Sequence, residues 1–375
     1  MDSSGVIIIG GGIIGLSLAY RIASQNRRVV VLDRQAPGLE ASWAAAGMLS
    51  AAPETSDDLA LVPLAKKSFA LYPEFVAAIE ENSGKPANFR RDGALELFFG
   101  DSAASERDRT VASHRALGLT TQAVSPTEAI SIEPSLSKSA FAAAWLPAEY
   151  SVEPRLLTSA VLQAAKNRGA DVRANVDVRN LVIEGSRCVG VESQSEKFAA
   201  EHVVLAAGCF SSGIAAAARL ARTEPVRGQM VSLRAARPVP NHVVRSRRGY
   251  VVPRGNGLLV AGSTIERAGF EKKVTAAGIG GILSAAVELI PELADAAIEE
   301  TWCGLRPDTP DHLPLIGPAE YAGLWLATGH YRNGILLAPA TAQILGDWIL
   351  RGKTEFNMDA YLPLRFTSEK TAAAL

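Results

Sequence analysis

Residues 6–15, V-I-I-I-G-G-G-I-I-G, restrict the fold more than any other part of the chain. A β-branched apolar run that stops in glycines and resumes as an amphipathic segment predicts a buried strand turning tightly into a helix. Gly10, Gly12 and Gly15 have the spacing G-x-G-x-x-G. In a dinucleotide site the first glycine turns the chain, the second lets backbone approach a pyrophosphate, and the third lets the helix lie against the strand. The phosphate then meets N–H groups and the positive end of the helix dipole. One helix later Val29-Val30-Val31-Leu32 predicts a second strand, and Asp33 at its end is placed to accept the ribose hydroxyls of an adenosine. The alternative is a glycine-rich turn beside an ordinary solvated aspartate; strand, turn, helix, strand and acid in that order favour the dinucleotide. Arg34 next to it keeps NADP open.

At 375 residues the chain is long for one domain, and two are expected. A net charge of -1 with 48% hydrophobic residues gives no basic excess for nucleic acid. The apolar run 6–19 lacks the basic n-region of a signal peptide, is interrupted by glycines and follows Asp2. No other stretch approaches the roughly 20 apolar residues that span a bilayer. These features read as a cytoplasmic protein with no membrane partner. Cys188, Cys209 and Cys303 are too scattered for a disulfide framework or a zinc site. They read as buried free thiols, and no metal is expected.

Residues 40–49, E-A-S-W-A-A-A-G-M-L, are a run of small side chains ending in Gly47-Met48. Either a flat, bulky group such as an isoalloxazine ring packs on backbone here, or the run is a tightly packed alanine helix. Apolar spacing predicts a helix over 59–81, kinked or broken at Tyr72-Pro73, then a linker at 84–86. Short strands follow at 94–99 and 141–146, with a polar helix at 105–117 and another starting near Ser125. Pro154 opens a helix to Arg168, and 171–176, 178–183 and 188–192 read as strands. Residues 201–208 repeat the opening logic, a buried strand ending in Ala207-Gly208. Residues 229–264 alternate, with a hairpin loop at 253–257, and suit a substrate-facing antiparallel sheet. A helix at 278–289, a Pro-rich loop region at 302–318, a strand at 323–327 and a helix at 335–350 complete the reading.

Three small-residue turns, at 10–15, 206–208 and 329–334, each follow a predicted strand. One ligand touching all three is long, which fits FAD better than NAD. The last turn aims the N-terminus of helix 335–350 at the flavin's pyrimidine edge, where negative charge accumulates on reduction.

Five motifs span the chain: the opening fingerprint, S-W-A-A-A-G-M-L at 42–49, G-Y-V-V-P-R at 249–254, G-L-R-P at 304–307 and G-H-Y-R-N-G-I-L-L-A-P-A-T at 329–341. With them the chain resembles the D-amino acid oxidase family of FAD-dependent oxidoreductases. The resemblance implies an α/β and α+β fold. A Rossmann-like domain holding FAD non-covalently would comprise 1–86, 148–222 and 304–375, and an antiparallel-sheet substrate domain 87–147 and 223–303. It implies oxidation of glycine, a small amine or a D-amino acid to an imine, hydrolysis to keto acid and ammonia, and reduction of oxygen to hydrogen peroxide, as in the thiamine-pathway branch of the family.

Cofactor contacts then fall on Gly10, Gly12, Ile13, Ile14, Gly15, Asp33, Arg34, Ala41, Ser42, Ala46, Gly47, Met48, Val178, Ala207 and Gly208, and on His330, Tyr331, Arg332, Asn333, Gly334, Ile335 and Leu336. Substrate contacts fall on Tyr250, Ile265, Arg306 and Arg332, with Tyr250, Arg306 and Arg332 as the catalytic candidates. Arginine suits bidentate capture of a carboxylate, and a nearby phenol can donate to the same group. The plainer readings are an ion pair of Arg306 with Asp308 or Asp311, and an ordinary strand aromatic at Tyr250. No general base is needed if a neutral amine yields its α-hydride directly, so positioning supplies most of the catalysis. His114, His202 and His242 read as solvated or structural, His312 as a loop residue, and His330 as a flavin neighbour that transfers no proton.

Two positions depart from the family pattern: Ile265 stands where Met is common, and Arg248-Gly249 replace a different pair before the tyrosine, which leaves the pocket's size and the substrate side chain it tolerates open. Arg245, Arg247 and Arg248 indicate either an acidic substrate or one solvated strand edge. Related sarcosine oxidases attach flavin to a cysteine near this loop; Cys303 is offset by one and Gly304 takes that place, which predicts a dissociable flavin. A flavin dehydrogenase serving a quinone or partner subunit and a redox-silent dinucleotide module are the alternatives, and a homo-oligomer is left open.

Overall fold

The computed structural model describes residues 4–25, 27–53, 56–214, 218–235 and 240–366. The fingerprint strand, Ser4–Ile9, lies in the middle of an eight-stranded sheet. Its parallel part runs Asp171–Arg173, Val29–Leu32, Ser4–Ile9, Lys197–Leu205, Leu324–Thr328, with Leu315–Pro318 antiparallel at one edge. Arg187–Ser193 and Val178–Glu184 extend antiparallel from Lys197–Leu205. Ile8, Val31 and Val204 pack into one core and Ile7, Val30 and Leu205 into another, so the sheet is buried on both faces. This is why its strands read as continuous apolar runs without alternation. Helices Ile13–Ala23, Val62–Ser83, Pro154–Asn167 and Gly334–Arg351 pack together over the first face.

A second eight-stranded sheet runs Ala297–Asp308, Glu224–Arg234, Leu258–Gly262, Gly249–Gly255, Val243–Ser246, Ala94–Phe98, Ala142–Leu146, Gln122–Val124. It is antiparallel except where Val243–Ser246 lies parallel to Ala94–Phe98. Leu95, Val231, Val244, Val251 and Ala261 face helix Ala276–Leu289. The opposite face carries Met230, Tyr250 and Trp302 toward Trp43 and Met48. Register sets Met230, Gly262, Tyr250, Arg245 and Glu96 in one row across neighbouring strands, and residues paired in this way share a face.

Three local expectations change. The helix read at 59–81 is Val62–Ser83, and it passes through Pro73 unbroken. Ser68 and Tyr72 donate to the carbonyls of Leu336 and Ile335 at 2.6 and 3.1 Å, and this docking outweighs the bond lost to proline. The stretch read as a loop at 302–318 begins as the strand Ala297–Asp308, an edge strand whose Pro307 faces Pro225 at the end of the pairing. Proline is tolerated there because no further strand needs its N–H. The hairpin loop at 253–257 narrows to Asn256 and Gly257, with φ of 50° and 76°, the left-handed pair a two-residue turn requires. All three cysteines are free, Cys188 and Cys209 buried as expected and Cys303 only partly. Among the described residues no helix is long and apolar enough to cross a membrane, and no three His, Cys, Asp or Glu side chains gather as metal ligands.

Gly15 and Gly280 provide a paired test of the helix-on-strand contact. A Cβ on Gly15 would lie 2.1 Å from the Gly10 carbonyl oxygen, whereas one on Gly280 meets nothing within 4 Å. Gly15→Ala is expected to cost about 1–3 kcal/mol or more through forced backbone shifts, and Gly280→Ala to gain up to about 1 kcal/mol. Thermal midpoints of the two variants check this; equal shifts would deny the fingerprint's third glycine its packing role.

Candidate active site

The carboxyl ends of the Ser4–Ile9 and Lys197–Leu205 strands meet at Gly10. Its φ is 108°, and a Cβ would lie 2.5 Å from the Ala206 carbonyl oxygen. Above this seam a cavity of about 1310 Å³ runs from Asp33, Arg34 and Val178, past the fingerprint, to Tyr250 and Arg306 of the second sheet and Ile265 in the loop after strand Leu258–Gly262. Ordinary small-molecule sites measure roughly 300–1,000 Å³, so the space suits one long ligand together with a small one. Every residue expected to touch cofactor or substrate lines this cavity except Gly15 and Leu336. Gly15 instead packs on the Gly10 carbonyl, and Leu336 is buried in the core.

At the dinucleotide end, helix Ile13–Ala23 starts with no acidic residue in its own first turn, and its positive end faces the cavity. The Ile13 N–H donates to the Ser42 hydroxyl at 2.9 Å. Asp33 accepts from the Gly11 and Gln35 N–H groups at 2.7 and 3.0 Å. Burial raises its pKa despite these donors. Arg34 stacks on Phe210, 3.6 Å from the ring centroid, and pairs with Glu40 at 2.9 Å. The residue that kept NADP open is therefore already engaged.

The small-residue run is neither a full alanine helix nor loose. Ala41–Ala44 make one helical turn and the chain then extends. A Cβ on Gly47 would lie 2.1 Å from the Val152 carbonyl oxygen, and one on Gly304 would lie 2.4 Å from the Ala44 methyl. Trp302 Nε1 donates to the Ala44 carbonyl at 3.1 Å. Small side chains thus lock this wall to the strand that carries Arg306.

The third turn is pinned by the Tyr331 N–H, which donates to the Pro307 carbonyl at 2.8 Å. It delivers Arg332, Asn333, Gly334 and Ile335 to the cavity at the start of helix Gly334–Arg351, whose first turn also has no acid. Arg332 lies with its guanidinium carbon 5.2 Å from the Tyr331 ring centroid. His330 is 3% exposed, with Nε2 3.1 Å from the Thr341 hydroxyl. Burial pushes its pKa down to about 3, so it is neutral at physiological pH.

At the substrate end, Arg306 Nη1 donates to the Thr264 carbonyl at 3.1 Å and Nη2 to the Ser263 hydroxyl at 2.7 Å. A Cβ on Gly228 would lie 2.2 Å from Arg306 Nη1, so this glycine makes room for the guanidinium. The ion-pair reading does not hold. Asp308 is taken by Arg267 and His312 at 2.9 and 2.7 Å and Asp311 by Arg365, leaving Arg306 with no carboxylate among the described residues. The Tyr250 hydroxyl donates to Met230 Sδ at 3.4 Å. Ile265 sits at the cavity 59% exposed. Arg247 and Arg248 are surface residues paired with Glu106 and Glu288, but Arg245 is not a solvated edge: it is bound by Glu96 and Glu149. Gly228, Ser263, Thr264, Phe210 and the two glutamates escaped the sequence reading. Of these only Gly228 gave a signal, an isolated glycine in an alternating strand.

Comparison with known proteins agrees with this geometry. The FAD dependent oxidoreductase family model matches residues 5–348. The chain is 34% identical to the glycine oxidase of Geobacillus kaustophilus (strain HTA426) over 357 residues, covering 94% of each protein. It is 32% identical to the bifunctional protein ThiO/ThiG of Trichormus variabilis over 375 residues, covering 99% of this chain and 56% of that protein, so it spans about half of the bifunctional relative. The crystal structure of the Geobacillus kaustophilus glycine oxidase superposes with a TM-score of 0.92 at 32% identity, covering 97% of this chain and 99% of that one. The fold class is therefore a Rossmann-like FAD-binding fold joined to a substrate-binding sheet, and the chain belongs to the FAD dependent oxidoreductase family.

Proposed function

We propose that this chain is an FAD-dependent amino acid oxidase that deaminates glycine, small amines or D-amino acids to keto acid and ammonia, with oxygen reduced to hydrogen peroxide. The observation that carries the reading is Arg306, a guanidinium without a carboxylate partner among the described residues, in the same cavity as the dinucleotide fingerprint. The named relative whose own length the chain also covers almost completely is a glycine oxidase, which favours an oxidase over a dehydrogenase.

The residues fit FAD. Asp33 and the N-terminus of helix Ile13–Ala23 would hold its ADP half, and Ala46, Gly47, Met48 and residues 330–335 its flavin half. Bound there, FAD supplies a two-electron acceptor for the α-hydrogen. Arg306 binds the substrate carboxylate with donors that Thr264 and Ser263 leave over. Tyr250 and Arg332 line the same cavity and would complete the substrate pocket. The α-hydrogen leaves as hydride while the nitrogen lone pair forms the imine, so no side chain has to accept the α-proton. Neutral His330 adds no charge beside the reacting atoms. Water then converts the imine to keto acid and ammonia.

Truncating one partner of a buried charge pair costs about 2–5 kcal/mol, roughly 30-fold to several thousand-fold in catalytic efficiency. Arg306→Leu is expected to stay folded and yellow while losing that much kcat/KM for glycine, and far less for an amine without a carboxylate. Near-normal glycine turnover by a flavin-loaded variant would remove Arg306 from the site. Fixing both carboxylate and α-hydrogen leaves one handedness reactive, so D-alanine should bleach the flavin and L-alanine should not. Equal anaerobic rates with the two enantiomers would contradict this binding mode.

His330 yields a pH prediction. Its folded pKa is lowered from 6.5 to about 3, so the stability it contributes is present above 6.5 and is lost as pH falls toward 3. His330→Gln, which does not titrate, should therefore lose less stability on acidification. The melting-temperature gap between wild type and variant narrows across that interval; a constant gap would mean that the pKa of His330 is the same in the folded and the unfolded chain.

A further inference from the structure

The cavity continues past Tyr250 to a charged wall that the chemistry above does not use. Tyr250, Arg245 and Glu96 follow one another in the register row, on adjacent strands and one face. Strand spacing of roughly 4.8 Å puts the Glu96 backbone about 10 Å from that of Tyr250. Arg245 donates from Nε to Glu96 Oε2 at 3.1 Å, and from Nη1 and Nη2 to Glu149 at 2.7 and 3.1 Å. Ser50, at the cavity, also donates to Glu149.

Arg245, Glu96 and Glu149 are 18%, 19% and 12% exposed in their side chains, and two carboxylates against one guanidinium leave the group negative. Glu96 lines the cavity, and its Oε1 accepts no hydrogen bond from the described residues. Farther out, Arg109 and Arg247 line the rim. Arg247 is 82% exposed and lies 3.5 Å from Glu106, where solvent and salt screen it. The nearer, drier group sets the sign of the wall.

We infer that Glu96 makes the far end of the substrate pocket a receptor for a cationic nitrogen, so that among chiral substrates the preferred ones are D-amino acids with a short aminoalkyl side chain. This rests on the oxidase reading above. A methyl side chain leaves the span to Glu96 unfilled, and an apolar chain of matching length ends against a carboxylate it cannot satisfy. An acidic side chain finds the Arg245 guanidinium already occupied by two glutamates and meets Glu96 as a like charge. The acidic-substrate reading of Arg245 is thereby reversed.

The test uses FAD-loaded enzyme with glycine, D-norvaline, D-ornithine, D-lysine and D-glutamate. It measures kcat/KM, and separately the perturbation of flavin absorbance on binding D-lysine methyl ester and D-norvaline methyl ester. D-Ornithine or D-lysine should exceed D-norvaline in kcat/KM by about tenfold or more, the range of a hydrogen bond to a charged group, and D-glutamate should be poorest. Glu96→Gln should bring the ornithine-to-norvaline ratio toward one, and Glu96→Asp should keep part of it. In binding, the lysine ester should perturb the flavin at lower concentration than the norvaline ester. D-Norvaline matching both cationic substrates, D-glutamate surpassing them, or a ratio untouched by Glu96→Gln each overturns the inference. Glycine bleaching the flavin without any cationic preference overturns it alone. No bleaching by any amine overturns the oxidase reading with it. If Glu96→Gln fails to hold FAD, the wild-type ratio decides.

Discussion

The whole site hangs on one close approach, the Cα of Gly10 against the Ala206 carbonyl. Around it the Gly10 N–H donates to the Leu32 carbonyl and the Ala206 N–H to the Ile9 carbonyl, each at 2.8 Å, so the ends of three parallel strands are tied together. Any side chain at Gly10 would part them. Because the strands are buried on both faces, the sheet cannot yield to relieve such a wedge. The seam fixes where helix Ile13–Ala23 begins and where Asp33 ends its strand, and with these the floor of the cavity.

A second constraint joins this floor to the second sheet. Ala44 fits against Gly304 and receives the Trp302 indole N–H, so the wall built from small residues and the strand bearing Arg306 move as one. Arg306 is held by a hydroxyl and a carbonyl, and no carboxylate among the described residues neutralises it. A partly buried cation kept this way is costly in the absence of an anion. Gly228, beside the Arg306 guanidinium, gives up a side chain to make the space. The stability forgone at both positions makes sense as preorganisation for a ligand carboxylate.

Much of this was legible in the sequence because it depends on local backbone demands. Glycine spacing at Gly10, Gly12 and Gly15, β-branched runs on each side, and Asn256-Gly257 state their conformations within a few residues. What stayed hidden depends on contacts far apart in the chain. Pro73 reads as a breaker until Ser68 and Tyr72 dock on helix Gly334–Arg351. Pro307 reads as loop until the strand is seen to be an edge. Arg245 reads as a contact for an acidic substrate or as a solvated edge because Glu149, which encloses it, is 96 positions away. Arg306 was recognisable from its motif, but its freedom from Asp308 and Asp311 followed only once Arg267, His312 and Arg365 were seen to occupy them.

One measurement reaches the central claim directly: an anaerobic absorbance titration of the purified protein with glycine, followed by admission of air. The account predicts a yellow protein that releases FAD on denaturation, loses its flavin absorbance as glycine is added, and recovers it in air with formation of hydrogen peroxide. A colourless protein that cannot be reconstituted with FAD, or a yellow one that neither glycine nor any small amine bleaches, would contradict it.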